Sequence, residues 1–382
     1  MNEDFLAQRL AKRKEQGLLR SLKLNEGLID FCSNDYLGFA NSGELHSLIA
    51  HFPVPPQHTV LGSRGSRLLA GNTAFAEELE QFIADFHRAE SGLIFNSGYD
   101  ANAGFFAAVP RKGDIVLYDE LIHASVHDGI RMSKVAAISF LHNNIEDLRE
   151  KLEGINESKP DSQEVFVAVE SVYSMDGDLA ALSAFSETCE NFNARLIVDE
   201  AHATGIIGKE GKGLVNELGL EKKVFARLHT FGKALGTHGA ILLGSKLLRS
   251  YLINFARPFI YSTALPYPAL VAIRCAYELL PKADQQRSQL MQLIIQFKKE
   301  MKLMTGFEVL ESSSPIQSVI IPGNERVRKV AESLQEAGFD VRPIVAPTVP
   351  AGRERLRICL HAYNTEEEVK KLFGNLMAFG AR

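Results

Sequence analysis

The chain has 382 residues, room at roughly 150 per domain for two or three domains and too many for a mini-scaffold. With 46% hydrophobic and 23% charged residues it is too apolar for a disordered chain, and no run of ~18 apolar residues reads as a membrane span. A net charge of −5 offers no positive field to hold a polyanion, so neither nucleic acid nor a membrane is an expected partner.

The first 24 residues lack an apolar signal core, and Glu3, Asp4 and Glu15 argue against an acid-poor transit peptide. They read as an amphipathic helix with Phe5, Leu6 and Leu10 near one face. Cys32, Cys189, Cys275 and Cys359 lie far apart with no C-x-x-C spacing, which suggests neither a disulfide framework nor a zinc ribbon; a reducing cytoplasm fits best.

From about residue 90 to 245, short apolar runs alternate with helix-length segments, the pattern of a wound α/β domain with parallel strands. The expected strands are Leu93 to Phe95, Asp114 to Tyr118, Val135 to Phe140, Glu164 to Ser171, Arg195 to Asp199, Arg227 to Thr230 and Gly239 to Leu243. Helices are expected at Asn144 to Leu152 and, after the turn Met175-Asp-Gly-Asp178, at Ala180 to Phe192. Past Pro258 to Pro268 the rhythm changes. Long helices at Ala269 to Leu280 and Gln285 to Met304 precede short strands at Phe307 to Leu310, Ser318 to Ile321 and Leu356 to Leu360, with helices at 325–337 and 365–377. The fold class is therefore α/β: a large domain (46–265) with a mostly parallel sheet flanked by helices, a smaller α+β C-terminal domain (266–382), and an N-terminal arm (1–45) packing with the latter.

In open α/β sheets ligands bind beyond the carboxyl ends of the strands, so polar residues that end apolar runs are examined first. Asp199 ends Arg195-Leu-Ile-Val-Asp199, and His202 follows three residues on; a helix-capping carboxylate and a surface histidine would explain the pair equally. In Thr230-Phe-Gly-Lys233 a lysine sits among small and apolar residues, where desolvation lowers its pKa and frees a neutral amine for Schiff-base chemistry; a solvated surface charge is the plain alternative. Phe95-Asn-Ser-Gly98-Tyr99 stops a strand at a Ser-Gly where a helix begins, the geometry of an anion site or of an ordinary cap. His123-Ala-Ser-Val-His127 has the spacing of a helical zinc pair without the Glu of H-E-x-x-H, and Gly208-Lys-Glu-Gly-Lys-Gly213 is only loosely like a phosphate loop. No metal site is expected.

Seven segments, Ser33-Asn-Asp-Tyr-Leu-Gly38, Gly65-Ser-Arg-Leu-Leu-Ala-Gly-Asn72, Asn96-Ser-Gly-Tyr99, His123-Ala-Ser125, Ser174-Met-Asp-Gly-Asp178, Val198-Asp-Glu-Ala-His202 and Thr230-Phe-Gly-Lys233, together resemble the α-oxoamine synthases, a family of fold-type I pyridoxal-phosphate transferases. They stand in the family's order and span nearly the whole chain. The resemblance implies that Lys233 holds pyridoxal 5'-phosphate as an imine, Asp199 bonds the pyridine nitrogen, and His123 stacks on the ring. It places Ser174 and His202 near the phenolic oxygen, and Gly98, Tyr99 and Thr230 in the phosphate and cofactor cradle. Asn34 and Arg357 would hold an amino-acid carboxylate, with Arg20 and Thr348 as further substrate contacts. As alternatives, Asn34 could be a turn residue, and Arg357, alternating with Arg353 and Arg355, could lie on a strand's outer face.

Relatives usually carry a small, glycine-rich run where this chain has Gly62-Ser-Arg64-Gly65, so Arg64 adds a cation that is either a loop residue or a contact to an acyl group. By likeness, Arg257 to Pro266, Pro347 to Gly352 and the compact length point to L-alanine and a pimeloyl thioester as substrates, carried on coenzyme A or an acyl carrier protein. The pairs glycine with acetyl and serine with palmitoyl thioesters stay open, as does a non-catalytic cofactor-binding protein on the same scaffold. The resemblance also implies a homodimer with a shared active site, in which Thr263 reaches the neighbouring subunit's cofactor phosphate.

Overall fold

The computed structural model describes residues 2–24, 26–53, 61–157, 160, 162–303 and 306–380. Seven strands form the larger sheet: β1 (Ser91–Phe95), β2 (Ile115–Asp119), β3 (Ala136–Phe140), β4 (Val165–Glu170), β5 (Arg195–Asp199), β6 (Ala226–Thr230) and β7 (Ala240–Gly244). Their spatial order is β1-β7-β6-β5-β4-β2-β3. Central strands are apolar on both faces because helices cover both: β4 is buried at all six positions, whereas edge strand β3 is exposed at four of five. Every expected strand is present.

One strand runs the other way. β7 pairs antiparallel with both β6 and β1, the exception in the mostly parallel sheet that the alternating pattern predicts. The reason is the length of the link. Only residues 231–239 separate β6 from β7, and a parallel return needs a crossover of about a dozen residues or more. That short link carries Lys233 just beyond the carboxyl end of β6. It turns at Gly236 (φ +62), where a Cβ would lie 2.2 Å from the Ala40 amide nitrogen.

Two apolar cores sandwich the sheet. Val167, Val169, Leu196, Val198, Ile241 and Leu243 face one, and Phe166, Ala168, Ile197, Leu228 and Leu242 the other. By alternation, Glu170, Asp199 and Thr230 fall on the second face, at the ends of three neighbouring strands. The ladder sets Glu170 opposite Asp199 and Asp199 opposite Leu228.

The C-terminal domain is built on an antiparallel sheet of β8 (Ile316–Ile320), β9 (Arg342–Ile344), β10 (Arg355–Cys359) and the short strand Glu308–Val309, with helices at Asp284–Met301, Asn324–Glu336 and Glu366–Gly380. The expected helix end at Met304 lies outside the described residues. Ile29–Asp30 pairs with Phe339–Asp340, which ties the N-terminal segment to this domain. The helix Asp4–Glu15 forms as its pattern requires, yet buries none of its residues: Phe5 is 54% and Leu10 57% exposed. No helix of the described residues is long and apolar enough to cross a membrane.

Candidate active site

The carboxyl ends of β5 and β6 open into a cleft of about 250 Å³ lined by Asn34, Gly98, His123, Asp199, Thr230 and Lys233, among others. The Lys233 amine hydrogen-bonds His202 Nε2 at 2.8 Å, and His202 Nδ1 lies 2.7 Å from the hydroxyl of buried Tyr36. That hydroxyl donates its single hydrogen to Asn34 Oδ1 at 3.1 Å. With this hydrogen committed, His202 Nδ1–H is the donor to the phenol oxygen, and Nε2 is left to accept from Lys233. Burial lowers the lysine to about 8, against the opposing pull of Asp199. Burial, with Lys233 and Arg357 adding, keeps His202 neutral, well below the usual histidine range.

Asp199 is buried and held from two sides: Asn102 Nδ2 donates to Oδ2 at 2.8 Å and the Ala201 amide to Oδ1 at 2.9 Å. Asn102 lies one turn into the helix Gly98–Ala108 and also donates to Ser125 Oγ at 3.0 Å. His123 caps the helix Ala124–Ser133, its Nδ1 accepting from the Ser125 amide at 3.2 Å. The ring hydrogen therefore sits on Nε2. Burial pushes this imidazole below its ordinary range, with Lys233 adding and Asp199 opposing, so it is a neutral donor. His123 precedes the helix and His127 packs edge-on against Tyr118, so the two do not share a helical face.

At the other end of the cleft the helix Gly98–Ala108 presents its N-terminus beside Thr230. Gly98 is required there: a Cβ would meet Thr230 Cγ2 at 2.6 Å. Tyr99 projects outward, 47% exposed, with its hydroxyl donating to Asp128. The donor set fits pyridoxal phosphate: an amine for the aldehyde, a carboxylate for the ring nitrogen, and a helix N-terminus with a hydroxyl and no Cβ for the phosphate.

Ser174 is buried in the turn after β4; its amide donates to Glu170 Oε2 at 3.2 Å and its carbonyl accepts from Arg357 Nε at 2.6 Å. Arg357 Nη2 reaches Asn34 Oδ1 at 3.0 Å. The outer-face alternative for these arginines fails, since Ser174 to Asp178 covers that side of β10. Arg355 is 3% exposed and pairs with Asp176, and only Arg353 turns away, to Glu308.

Three expected residues line other hollows of the chain. Arg20 and Thr348 share a groove of about 760 Å³ between the arm and the segment Arg342 to Thr348; its wall strand β9 places Arg342 opposite Arg357. Thr263 is exposed, its carbonyl accepting from Asn96 Nδ2 at 2.9 Å. Arg64 is exposed with φ +55. Sequence reasoning missed Tyr36, Asn102, Ser125 and Glu170 as site residues. Glu170 ends an apolar run as Asp199 does, and the strand-end criterion could have found it.

A family model described as aminotransferase class I and II matches residues 26–376. The 8-amino-7-oxononanoate synthase of Emericella nidulans is 47% identical to the chain, covering 97% of it and 93% of the relative. The aminoacyl transferase sphA of Byssochlamys spectabilis is 40% identical over 92% of this chain and 80% of its own. Among solved structures, a serine palmitoyltransferase from S. paucimobilis with bound pyridoxal phosphate and myriocin superposes with a TM-score of 0.87. It is 26% identical and covers 99% of this chain and 97% of its own.

Proposed function

The chain belongs to the aminotransferase class I and II family and is a pyridoxal-phosphate-dependent acyltransferase, and from that premise we propose that it condenses L-alanine with a pimeloyl thioester, releasing carbon dioxide and the thiol, to give the biotin precursor 8-amino-7-oxononanoate. The observation that carries the assignment to this site is the meeting of the Lys233 amine, the Asp199 carboxylate and the neutral His123 in one cleft.

In this reading Lys233 would hold the cofactor's aldehyde carbon, Asp199 its ring nitrogen, Gly98, Tyr99 and Thr230 its phosphate end, and Ser174 and His202 the phenolic side, with His123 against the ring. Bound pyridoxal phosphate supplies an electron sink for the electron pair left at the α-carbon. Arg357 and Asn34 grip the alanine carboxylate, a planar guanidinium being able to pair with it through two hydrogen bonds. Lys233, lowered to about 8, is in part neutral near physiological pH, and in that form it removes the α-proton as general base. His123 Nε2–H donates toward the thioester carbonyl oxygen as the α-carbon bonds the carbonyl carbon and the carbon–sulfur bond breaks, its electron pair leaving on the sulfur, which takes a proton from water. After carbon dioxide leaves, the Lys233 ammonium returns a proton to the α-carbon.

The same reading takes the protein as a cytoplasmic homodimer. Exposed Thr263 would serve the partner's cofactor phosphate, and the unburied apolar face of Phe5, Leu6 and Leu10 supports a second chain covering the arm. Arg20 and Thr348 would meet the acyl half, delivered by coenzyme A or an acyl carrier protein. The palmitoyltransferase likeness makes serine the second reading of the amino acid. Assays pairing alanine, glycine or serine with pimeloyl, acetyl and palmitoyl thioesters decide it: the highest kcat/KM is expected for alanine with the pimeloyl donor, and a preference for glycine with acetyl-CoA, or for serine with palmitoyl-CoA, overturns the assignment.

A further inference from the structure

The Ser174 peptide is gripped on both sides. Glu170 Oε2 takes its N–H at 3.2 Å, and Arg357 Nε donates to its carbonyl at 2.6 Å. Through the further bond from Arg357 Nη2 to Asn34, an unbroken chain of contacts runs from a carboxyl group at the end of β4 to a side chain that lines the cleft. Glu170 touches nothing in the cleft itself. It is 2% exposed, lies in ladder register with Asp199 on the same face, and its second oxygen, Oε1, is buried without a partner.

Two adjacent buried carboxylates on one face strongly disfavour carrying two charges. Asp199 is furnished with two donors; Glu170 has one. Burial, then Asp199, push the Glu170 carboxyl well above the usual range, so it carries the proton. In that form Oε2 still accepts from the Ser174 amide as a carbonyl oxygen.

We propose that Glu170 is a positioning residue for amino-acid binding, fixing the Ser174 peptide and through it the guanidinium of Arg357. This rests on the reading in which Arg357 holds the substrate carboxylate. What Glu170 contributes is an acceptor at one place, not a charge.

The test compares Glu170→Met, Glu170→Gln and Arg357→Lys in the cofactor-loaded enzyme, measuring KM for L-alanine and for the thioester, kcat, and L-alanine binding from the change in cofactor absorbance. Losing the acceptor should raise the L-alanine KM and dissociation constant by about tenfold, the worth of one buried hydrogen bond, with the thioester KM and kcat moving less than about threefold. Glu170→Gln, which keeps an accepting oxygen without charge, should restore L-alanine binding to within about threefold. Should Glu170→Met not fold, Glu170→Asp withdraws the carboxyl by one methylene and should show the same alanine-selective loss. An unchanged L-alanine constant, an equal loss for both substrates, or a Gln variant as impaired as Met overturns the proposal. Arg357→Lys separates the two levels: if it leaves L-alanine binding intact, the carboxylate reading itself fails, whereas weakened binding there with an unaffected Glu170→Met removes only Glu170.

Discussion

The hydrogen bond from Lys233 to His202, 2.8 Å long, has its direction set by Tyr36, which never touches the lysine. Because the phenol gives its hydrogen to Asn34, the imidazole must give one to the phenol, and its far nitrogen faces Lys233 as a lone pair.

A lysine desolvated to about 8 is the nucleophile in its neutral form, so capture of added pyridoxal phosphate by the cofactor-free protein should accelerate as pH rises and level off above a midpoint near 8. Stopped-flow absorbance of the forming imine checks this. Lys233→Ala should give no adduct that borohydride fixes; a persistent adduct would place the imine on another lysine.

Tyr36→Phe removes the acceptor that His202 Nδ1–H has among the described residues. A buried donor left unpaired costs about 1–3 kcal/mol, and the ring avoids that by moving its hydrogen to Nε2. Lys233 then faces a donor instead of a lone pair, which disfavours its ammonium form. The capture midpoint should fall below that of the parent protein. An unmoved midpoint would show that Tyr36 does not set the tautomer.

Gly98→Ala puts a methyl 2.6 Å from Thr230 Cγ2, a separation that real Cβ contacts do not tolerate, so the helix N-terminus or β6 must shift. Both elements line the supposed phosphate end. Cofactor dissociation, followed by fluorescence, should weaken by about tenfold or more, while the far-ultraviolet spectrum stays that of the parent. Unchanged cofactor affinity would move the phosphate away from Gly98.

Much of this was legible in the chain itself, for a physical reason. β4 and β5 are short apolar runs buried on both faces, so composition alone marks Val165 to Val169 and Leu196 to Val198. The reversal of β7 was not in its apolar pattern, which is the same for either direction, but in the nine-residue spacing before it. Lys233, Asp199 and His202 stood out because each follows such a run. Glu170 ends such a run too, and the strand-end criterion marks it as it marks Asp199. Tyr36 and Asn102 act only by orienting others across 166 and 97 residues of sequence, and no local pattern carries that. The alternation of Arg353, Arg355 and Arg357 reads equally as an outer face; what buries Arg355 is a loop some 180 residues earlier, and only the docking of the two domains reveals it.

That loop has a brace of its own with a measurable signature. His142 is clasped between Asp119, 2.9 Å from Nδ1, and Asp178, 3.0 Å from Nε2, while Tyr173 donates to Asp119 at 2.8 Å. Burial alone would lower the imidazolium; the hydrogen bonds to the two carboxylates outweigh it and hold the ring up at about 10. The folded protein therefore binds this proton more tightly than the unfolded chain, whose histidine titrates near 6.5. Between those values the native state carries more protons, so stability from this clasp is complete below about 6.5 and is lost as pH rises toward about 10. His142→Gln cannot titrate. The difference in urea midpoint between parent and variant should be largest near pH 6 and shrink steadily to pH 10; a difference independent of pH would mean that the ring is already neutral between its two aspartates.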